Sequence, residues 1–95
     1  MLEAIPADEF TGEPVFINSP TRAMGNGSLG FYVQCDDEVY RVPDGVRELY
    51  MQNRQCGDWY AEIKANHCHV SRCGPTKSEA LIAVVTAVEN TNASA

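Results

Sequence analysis

Residues 59–88, WYAEIKANHCHVSRCGPTKSEALIAVVTAV, contain two strand patterns followed by one helix pattern. Apolar and polar residues alternate over residues 59–65, and a period of two is typical of a half-buried strand. A turn near Asn66 leads to a second predicted strand, residues 67–73, which ends at Gly74 because glycine and the following proline break regular structure. This part of the chain therefore has the order strand, strand, helix.

The predicted helix begins at a recognisable N-terminal signal. The sequence Thr76-Lys77-Ser78-Glu79 has the form of a capping box, in which the Thr76 hydroxyl and the Glu79 carboxylate satisfy free backbone amides. Apolar residues then follow at helical spacing: Leu81, Val84, Val85 and Val88. We expect the helix to fray over residues 90–95.

The stretch before residue 59 shows the same order. Alternation over residues 29–35, a turn at Asp36-Asp37 and a β-rich run over residues 38–42 predict a hairpin. Asp44 is a good N-cap, and the spacing of apolar residues after it predicts a helix over residues 45–55. The residues on the shared face of that helix would be Val46, Leu49, Tyr50 and Asn53.

Residues 1–28 are predicted to be loosely structured, because proline and glycine interrupt them repeatedly. Within them, residues 14–17 have β character and a leading proline, which suits an edge strand. Residues 18–28 would form either a binding loop or a flexible connection. The prediction is one α+β domain over residues 1–95, in which a small antiparallel sheet of order ββαββα follows a short N-terminal strand and both helices pack on one face.

Composition is consistent with a small globular protein. The chain has 95 residues, of which 44% are hydrophobic and 21% charged, values that favour a folded domain over a disordered tail. Its N-terminal residues lack the pattern of a signal peptide, and no apolar run approaches the ~20 residues that span a bilayer. We therefore expect a cytoplasmic protein of a bacterial host cell that does not contact a membrane.

Charge is distributed unevenly along the chain. Residues 1–48 contain nine acidic and three basic side chains, whereas residues 49–95 contain four of each, so the net charge of −6 lies in the first half. This asymmetry favours a protein partner with an electropositive surface. It opposes direct nucleic-acid binding, which needs clustered lysine and arginine.

The four cysteines lack the close C-x-x-C pair that marks zinc ribbons, and in the cytoplasm we expect them to be reduced thiols. They are Cys35, Cys56, Cys68 and Cys73. Disulfides and a metal site are the two alternatives that the count leaves open.

The most concentrated group of potential metal ligands lies in the last predicted strand. His67 and His69 project to one face of a strand, and Cys73 has the same parity, so the three could bind one zinc ion. Cys35 or Cys56 would then supply a fourth ligand. We favour the simpler alternative, two solvent-facing histidines near a hairpin turn, with no metal and no other cofactor.

Catalysis is not expected. A cysteine nucleophile needs a thiol of low pKa beside a base, and Cys73 with the neighbouring histidines is the single local candidate. The sequence contains no oxyanion-hole motif and no P-loop lysine. We therefore predict that the protein is not an enzyme.

The predicted turn at Asp36, Asp37 and Glu38 places three carboxylates together. Alone it would be an ordinary solvated turn, but with the charge asymmetry it could present a phosphate-like surface to a basic groove. Such electrostatic pairing speeds association and is weakened by salt. Tyr32 and Tyr40 flank this turn in sequence and are the predicted aromatic anchors of the interface.

Residues 74–81, GPTKSEAL, resemble the G-x-T-x-x-E-A-L strand-to-helix junction of HicB-type antitoxin domains. The resemblance covers about a third of the chain when the strands before this junction are included. It implies a strand-to-helix topology and, as one possible function, an antitoxin-like partner of a small basic toxin.

The combination of small size, acidic charge and absence of catalytic motifs resembles small phage and mobile-element proteins, including anti-CRISPR proteins. That resemblance implies a non-enzymatic inhibitor that occludes the basic nucleic-acid-binding surface of an effector. Its contacts with effector lysines or arginines would come first from Asp36, Asp37 and Glu38.

Overall fold

The structure is a computed structural model, and it describes residues 3–55 and 57–94. Within these ranges it contains eight strands, one 3-10 turn (Ala7–Glu9) and one α-helix, α1 (Lys77–Ser94). The strands are β1 (Ile5–Pro6), β2 (Val15–Phe16), β3 (Thr21–Met24), β4 (Phe31–Cys35), β5 (Glu38–Val42), β6 (Val46–Asn53), β7 (Trp59–Ala65) and β8 (His69–Gly74).

The strands form two four-stranded sheets. Sheet A has the order β1-β5-β4-β2, and sheet B has the order β3-β6-β7-β8. Neighbouring strands are antiparallel in both sheets, except that β2 runs parallel to β4. Helix α1 packs against β7 and β8.

The predicted fold, a small sheet with two helices, is wrong because residues 46–53 form strand β6. β6 lies inside sheet B between β3 and β7. A β-bulge interrupts its pairing with β7 between Val46 and Glu48, so Val46 and Leu49 are both fully buried although three positions separate them. In the sequence this spacing is indistinguishable from one face of a helix.

The turn before β6 also differs from a helix N-terminus. Gly45 has a φ of 88°, a value that glycine adopts without strain and that suits a tight turn. The Asp44 carboxylate accepts hydrogen bonds from the Gly30 backbone N–H and the Arg41 side chain. Asp44 is therefore not the predicted helix N-cap, and its carboxylate instead stabilises the connection between β5 and β6.

One hydrophobic core joins the two sheets and the helix. Its buried members come from β3 to β7 and from α1, together with Ile17 between β2 and β3. Examples from the three layers are Val33, Leu49, Ile63, Leu81 and Val85. The faces of the two sheets that contribute to this core are called the inner faces below, and the opposite faces are called the outer faces.

Several other predictions can be compared directly with the structure. The strands predicted over residues 29–35, 38–42, 59–65 and 67–73 are confirmed as β4, β5, β7 and β8, of which β4 and β8 each begin two residues later than predicted. The helix after Thr76 is also confirmed, and the Thr76 hydroxyl accepts the Glu79 backbone N–H at 3.1 Å. Residues 18–28, predicted as a loop or connection, contain strand β3 paired with β6. Helix α1 extends to Ser94, over residues for which fraying was predicted, and Ala95 lies outside the described residues.

Within the described ranges, no helix has the length and apolar character needed to cross a membrane.

Candidate protein-binding surface

The three predicted carboxylates occupy the tip of the β4–β5 hairpin. Asp36 and Asp37 form a two-residue turn between the paired residues Cys35 and Glu38. Asp36 has a φ of 57°, and aspartate is among the non-glycine residues that tolerate this left-handed conformation. All three carboxylate side chains are exposed, so the hairpin presents them to solvent.

The N-terminal segment adds two more carboxylates to this tip. Pro6 of β1 pairs with Glu38, and the Ala7 backbone N–H donates a hydrogen bond to the Asp37 carbonyl oxygen at 2.8 Å. The 3-10 turn that follows therefore lies beside the hairpin, with Asp8 and Glu9 exposed. We call the five residues the acidic patch: Asp8, Glu9, Asp36, Asp37 and Glu38.

The excess negative charge of the protein comes from this hairpin tip and the N-terminal segment. The acidic patch, two further acids of the N-terminal segment (Glu3 and Glu13) and Lys77 together account for the net charge of −6. The remaining six acidic and six basic side chains cancel. Lys77 Nζ lies 3.3 Å from Asp36 Oδ1, so one carboxylate of the patch has a fixed counter-charge.

Aromatic side chains lie on the outer face of sheet A near the acidic patch. Tyr32 points away from the core, because its neighbour Val33 is fully buried and alternate residues of a strand face opposite sides. The Tyr32 and Phe10 rings pack together with a centroid distance of 4.7 Å. Phe16 pairs with Gln34 on the same face and is 61% exposed. We call Phe10, Phe16 and Tyr32 the aromatic strip.

Tyr40 cannot serve as the predicted anchor. It lies opposite Val33 in the hairpin and is only 3% exposed within the core. Burial raises the pKa of the Tyr40 hydroxyl above its ordinary value of 10.0, and this hydroxyl forms a hydrogen bond with Ser78 of α1. Tyr40 therefore joins sheet A to the helix.

Phe16 is the surface residue that the sequence did not identify. The sequence predicted an edge strand over residues 14–17 but assigned no function to its side chains. A signal was nevertheless present: three consecutive apolar residues, Val15, Phe16 and Ile17, cannot all face one core when strand side chains alternate. The structure buries Ile17 and leaves Phe16 in solvent.

The predicted metal ligands do not come together. His69 is on the outer face of sheet B, where its Nε2 contacts the Glu62 carboxylate. Cys73 Sγ accepts a hydrogen bond from Arg54 Nη2 at 3.2 Å, and His67 lies in the turn between β7 and β8. Among residues 3–55 and 57–94, no group of three histidine, cysteine or acidic side chains could hold a metal ion.

The two proposed fourth ligands do not restore such a site. Cys35 is buried in the core on the inner side of sheet A, and Cys56 lies outside the described residues. Burial raises the pKa of the Cys35 thiol to about 12, so it remains protonated at neutral pH. A protonated thiol in the core is neither a metal ligand nor a nucleophile.

Comparison of the chain with protein-family models, with curated proteins and with solved structures found no match. The geometry of the acidic patch and the aromatic strip is therefore the basis for a functional proposal.

Proposed function

We propose that this chain is a non-enzymatic inhibitor that binds another protein through the acidic patch and the aromatic strip. Its target would be the basic nucleic-acid-binding groove of an effector, in the manner of the anti-CRISPR proteins that its size and charge resemble. Inhibition would be by occlusion, because carboxylates of the inhibitor would occupy positions that otherwise hold nucleic-acid phosphates. The observation that carries the proposal is the concentration of five exposed carboxylates, with one lysine as counter-charge, around the tip of one hairpin.

The position of the patch supports binding to a concave surface. The β4–β5 hairpin ends in a two-residue turn, and backbone pairing with β1 holds the second acidic segment against it. Because backbone hydrogen bonds fix both segments, little conformational freedom would be lost when the carboxylates meet their partners. Preorganisation of this kind reduces the entropic cost of association.

The aromatic strip supports a stable complex in addition to fast association. Exposed carboxylates mainly increase the association rate, whereas aromatic residues desolvated at the centre of an interface contribute most of the affinity. Phe16 is accessible in the free protein, and the packed pair of Phe10 and Tyr32 is already ordered. The proposed interface thus has an apolar centre beside a charged rim.

The experiment is a pull-down from bacterial lysate with the tagged protein, followed by kinetic measurements on the captured partner. We expect a nucleic-acid-handling protein that is released by high salt, because contacts between exposed charges are screened. Asp37→Lys should lower the association rate about tenfold at low salt and reduce its salt dependence. Phe16→Ala should instead increase the dissociation rate.

Glu89→Lys is the matched control, because it makes the same charge change at an exposed position of α1. It should leave both rates near those of the unmodified protein. Equal effects of Asp37→Lys and Glu89→Lys would show that net charge, and not the acidic patch, governs binding. Capture of a partner that none of these changes affects would contradict the proposed interface.

A further inference from the structure

The outer face of sheet B is an ordered grid of side chains that no other element of the described chain covers. Strand register places its residues in three rows across the sheet. The rows are Arg22, Tyr50, Glu62 and Ser71; Met24, Glu48, Lys64 and His69; and Gln52, Tyr60 and Cys73.

Cations stand above carboxylates on this face. Glu48 forms ion pairs with two cations: Arg22 Nη1 lies 2.7 Å and Lys64 Nζ lies 3.4 Å from Glu48 Oε2. The Glu48 side chain is 12% exposed, whereas the side chains of Arg22 and Lys64 are 53% and 52% exposed. Glu62 is likewise recessed beneath His69, which is more exposed. At the edge of this face, Arg54 Nη2 lies 3.7 Å from Asp58 Oδ2, and the Asp58 side chain is 50% exposed. Away from that edge, around Arg22 and Lys64, the charges that solvent or a partner can reach are mostly positive.

Two tyrosines hold the arginines of this face in place. Tyr50 and Tyr60 pack edge to face with a centroid distance of 6.4 Å. The Arg22 guanidinium lies over the Tyr50 ring at 4.9 Å, and that of Arg54 lies over the Tyr60 ring at 6.0 Å. An arginine supported by an aromatic ring loses less side-chain freedom when it meets an anion, and cation–π contact leaves its N–H groups available.

We propose that this face binds the acidic patch of a second copy of the chain. The two surfaces are complementary in charge: one carries five carboxylates with a single neighbouring lysine, and the other presents cations above recessed carboxylates. They also differ in position, since one is the tip of a sheet A hairpin and the other is the outer face of sheet B. Association is therefore head to tail, and a dimer leaves one patch and one face free for further copies.

The dimensions of the two surfaces agree with this arrangement. Strands in a sheet lie about 4.8 Å apart, so a four-stranded face is roughly 14 Å across and accommodates the tip of a two-stranded hairpin. A nucleic acid is the less suitable occupant. The face has three permanent cations, Arg22, Arg54 and Lys64, and the acidic patch on the same small molecule repels phosphates.

Sedimentation equilibrium tests the proposal with two double variants. The face variant is Gln52→Glu with Arg54→Gln, and the patch variant is Asp37→Asn with Glu38→Gln. For the unmodified chain at low salt, we expect the average mass to rise above the monomer mass of 10.4 kDa as concentration approaches about 1 mM, and to return to it at high salt. Each variant alone should remain at the monomer mass.

A mixture of the two variants gives the sharpest result. The face variant keeps an intact patch and the patch variant keeps an intact face, so the average mass of the mixture should rise above the monomer mass and never exceed twice that mass. Because this result needs both proteins folded, it excludes misfolding as the cause of the monomeric state. An unmodified chain that stays monomeric at low salt, or a mixture that does not associate, would overturn the proposal.

This inference does not rest on the proposed function. The face variant leaves the acidic patch and the aromatic strip unchanged, so target binding should persist in a protein that no longer self-associates. If the unmodified chain self-associates but binds no target protein, that result would contradict the proposed function alone.

Discussion

At the scale of single residues, Asp44 shows how one exposed side chain organises a connection. Its Oδ1 accepts the Gly30 backbone N–H at 2.7 Å and Arg41 Nη2 at 2.6 Å. The hydrogen bond from Gly30, followed by that from Arg41, lowers the pKa of Asp44 below its ordinary value of 3.8. The carboxylate thereby ties the loop before β4 to the turn that precedes β6.

The lowered pKa of Asp44 predicts a specific acid sensitivity. A carboxyl group whose pKa is depressed by folding contributes stability above its unfolded pKa, and that contribution is lost as pH falls through the folded value. Asp44→Asn should therefore lower the thermal midpoint at neutral pH and have a smaller effect at about pH 2. Thermal melts of both proteins, monitored by circular dichroism at these two pH values, measure the difference in thermal midpoint.

Glu13→Gln, at an exposed position of the N-terminal segment, is the control for removing one carboxylate. If Asp44→Asn lowers the midpoint equally at both pH values, the ionised carboxylate does not stabilise this connection.

Asp44 also shows why local residue patterns predicted only part of the secondary structure. Aspartate after a strand and before an apolar run is a valid N-cap signal, and the same side chain equally suits a turn. The choice depends on Gly30, fourteen positions earlier, which a local pattern does not include. By contrast, Thr76 acts within its own helix turn, and its capping role was predicted correctly.

At the scale of elements, strand β6 explains the error in fold class. Val46 and Leu49 have helical spacing because of the bulge, and Asp44 before them has the form of a helix N-cap. Strands β4 and β7 have uninterrupted alternation and were predicted within about two residues of their ends. Regular alternation thus identified strands, whereas the bulged strand required knowledge of its neighbours β3 and β7.

Helix α1 gives a direct test of how the elements pack. Leu81 is fully buried between the sheets and the helix, whereas the adjacent Ile82 is 36% exposed. Leu81→Ala should cost about 2–5 kcal/mol of unfolding free energy, because it removes buried methyl groups and leaves a cavity. Ile82→Ala, a truncation of equal size one position away, should cost about 1 kcal/mol or less.

Urea denaturation of both variants measures this difference. Similar losses of unfolding free energy for Leu81→Ala and Ile82→Ala would mean that the helix does not pack on the sheets in the observed orientation.

At the scale of the whole molecule, folding concentrates a charge asymmetry that the sequence shows only as a difference between two halves. The hairpin carboxylates were predicted, because adjacent residues in a turn remain adjacent in the fold. The sequence did not predict that Asp8 and Glu9 lie beside the hairpin carboxylates, because their position depends on β1 pairing with β5 across more than thirty residues. For the same reason the sequence could not show that Tyr40 faces the core and that Phe16 does not.

At this scale we propose that the outer face of sheet A, together with the acidic patch, contacts the target protein. Site-specific photo-crosslinking tests that claim most directly. A photoreactive amino acid replaces Phe16 in one protein and the exposed residue Thr86 of α1 in another, and both are irradiated in bacterial lysate. We predict a covalent adduct with one nucleic-acid-handling protein from position 16 and none from position 86. An adduct with that protein from position 86 but not from position 16 would contradict the account.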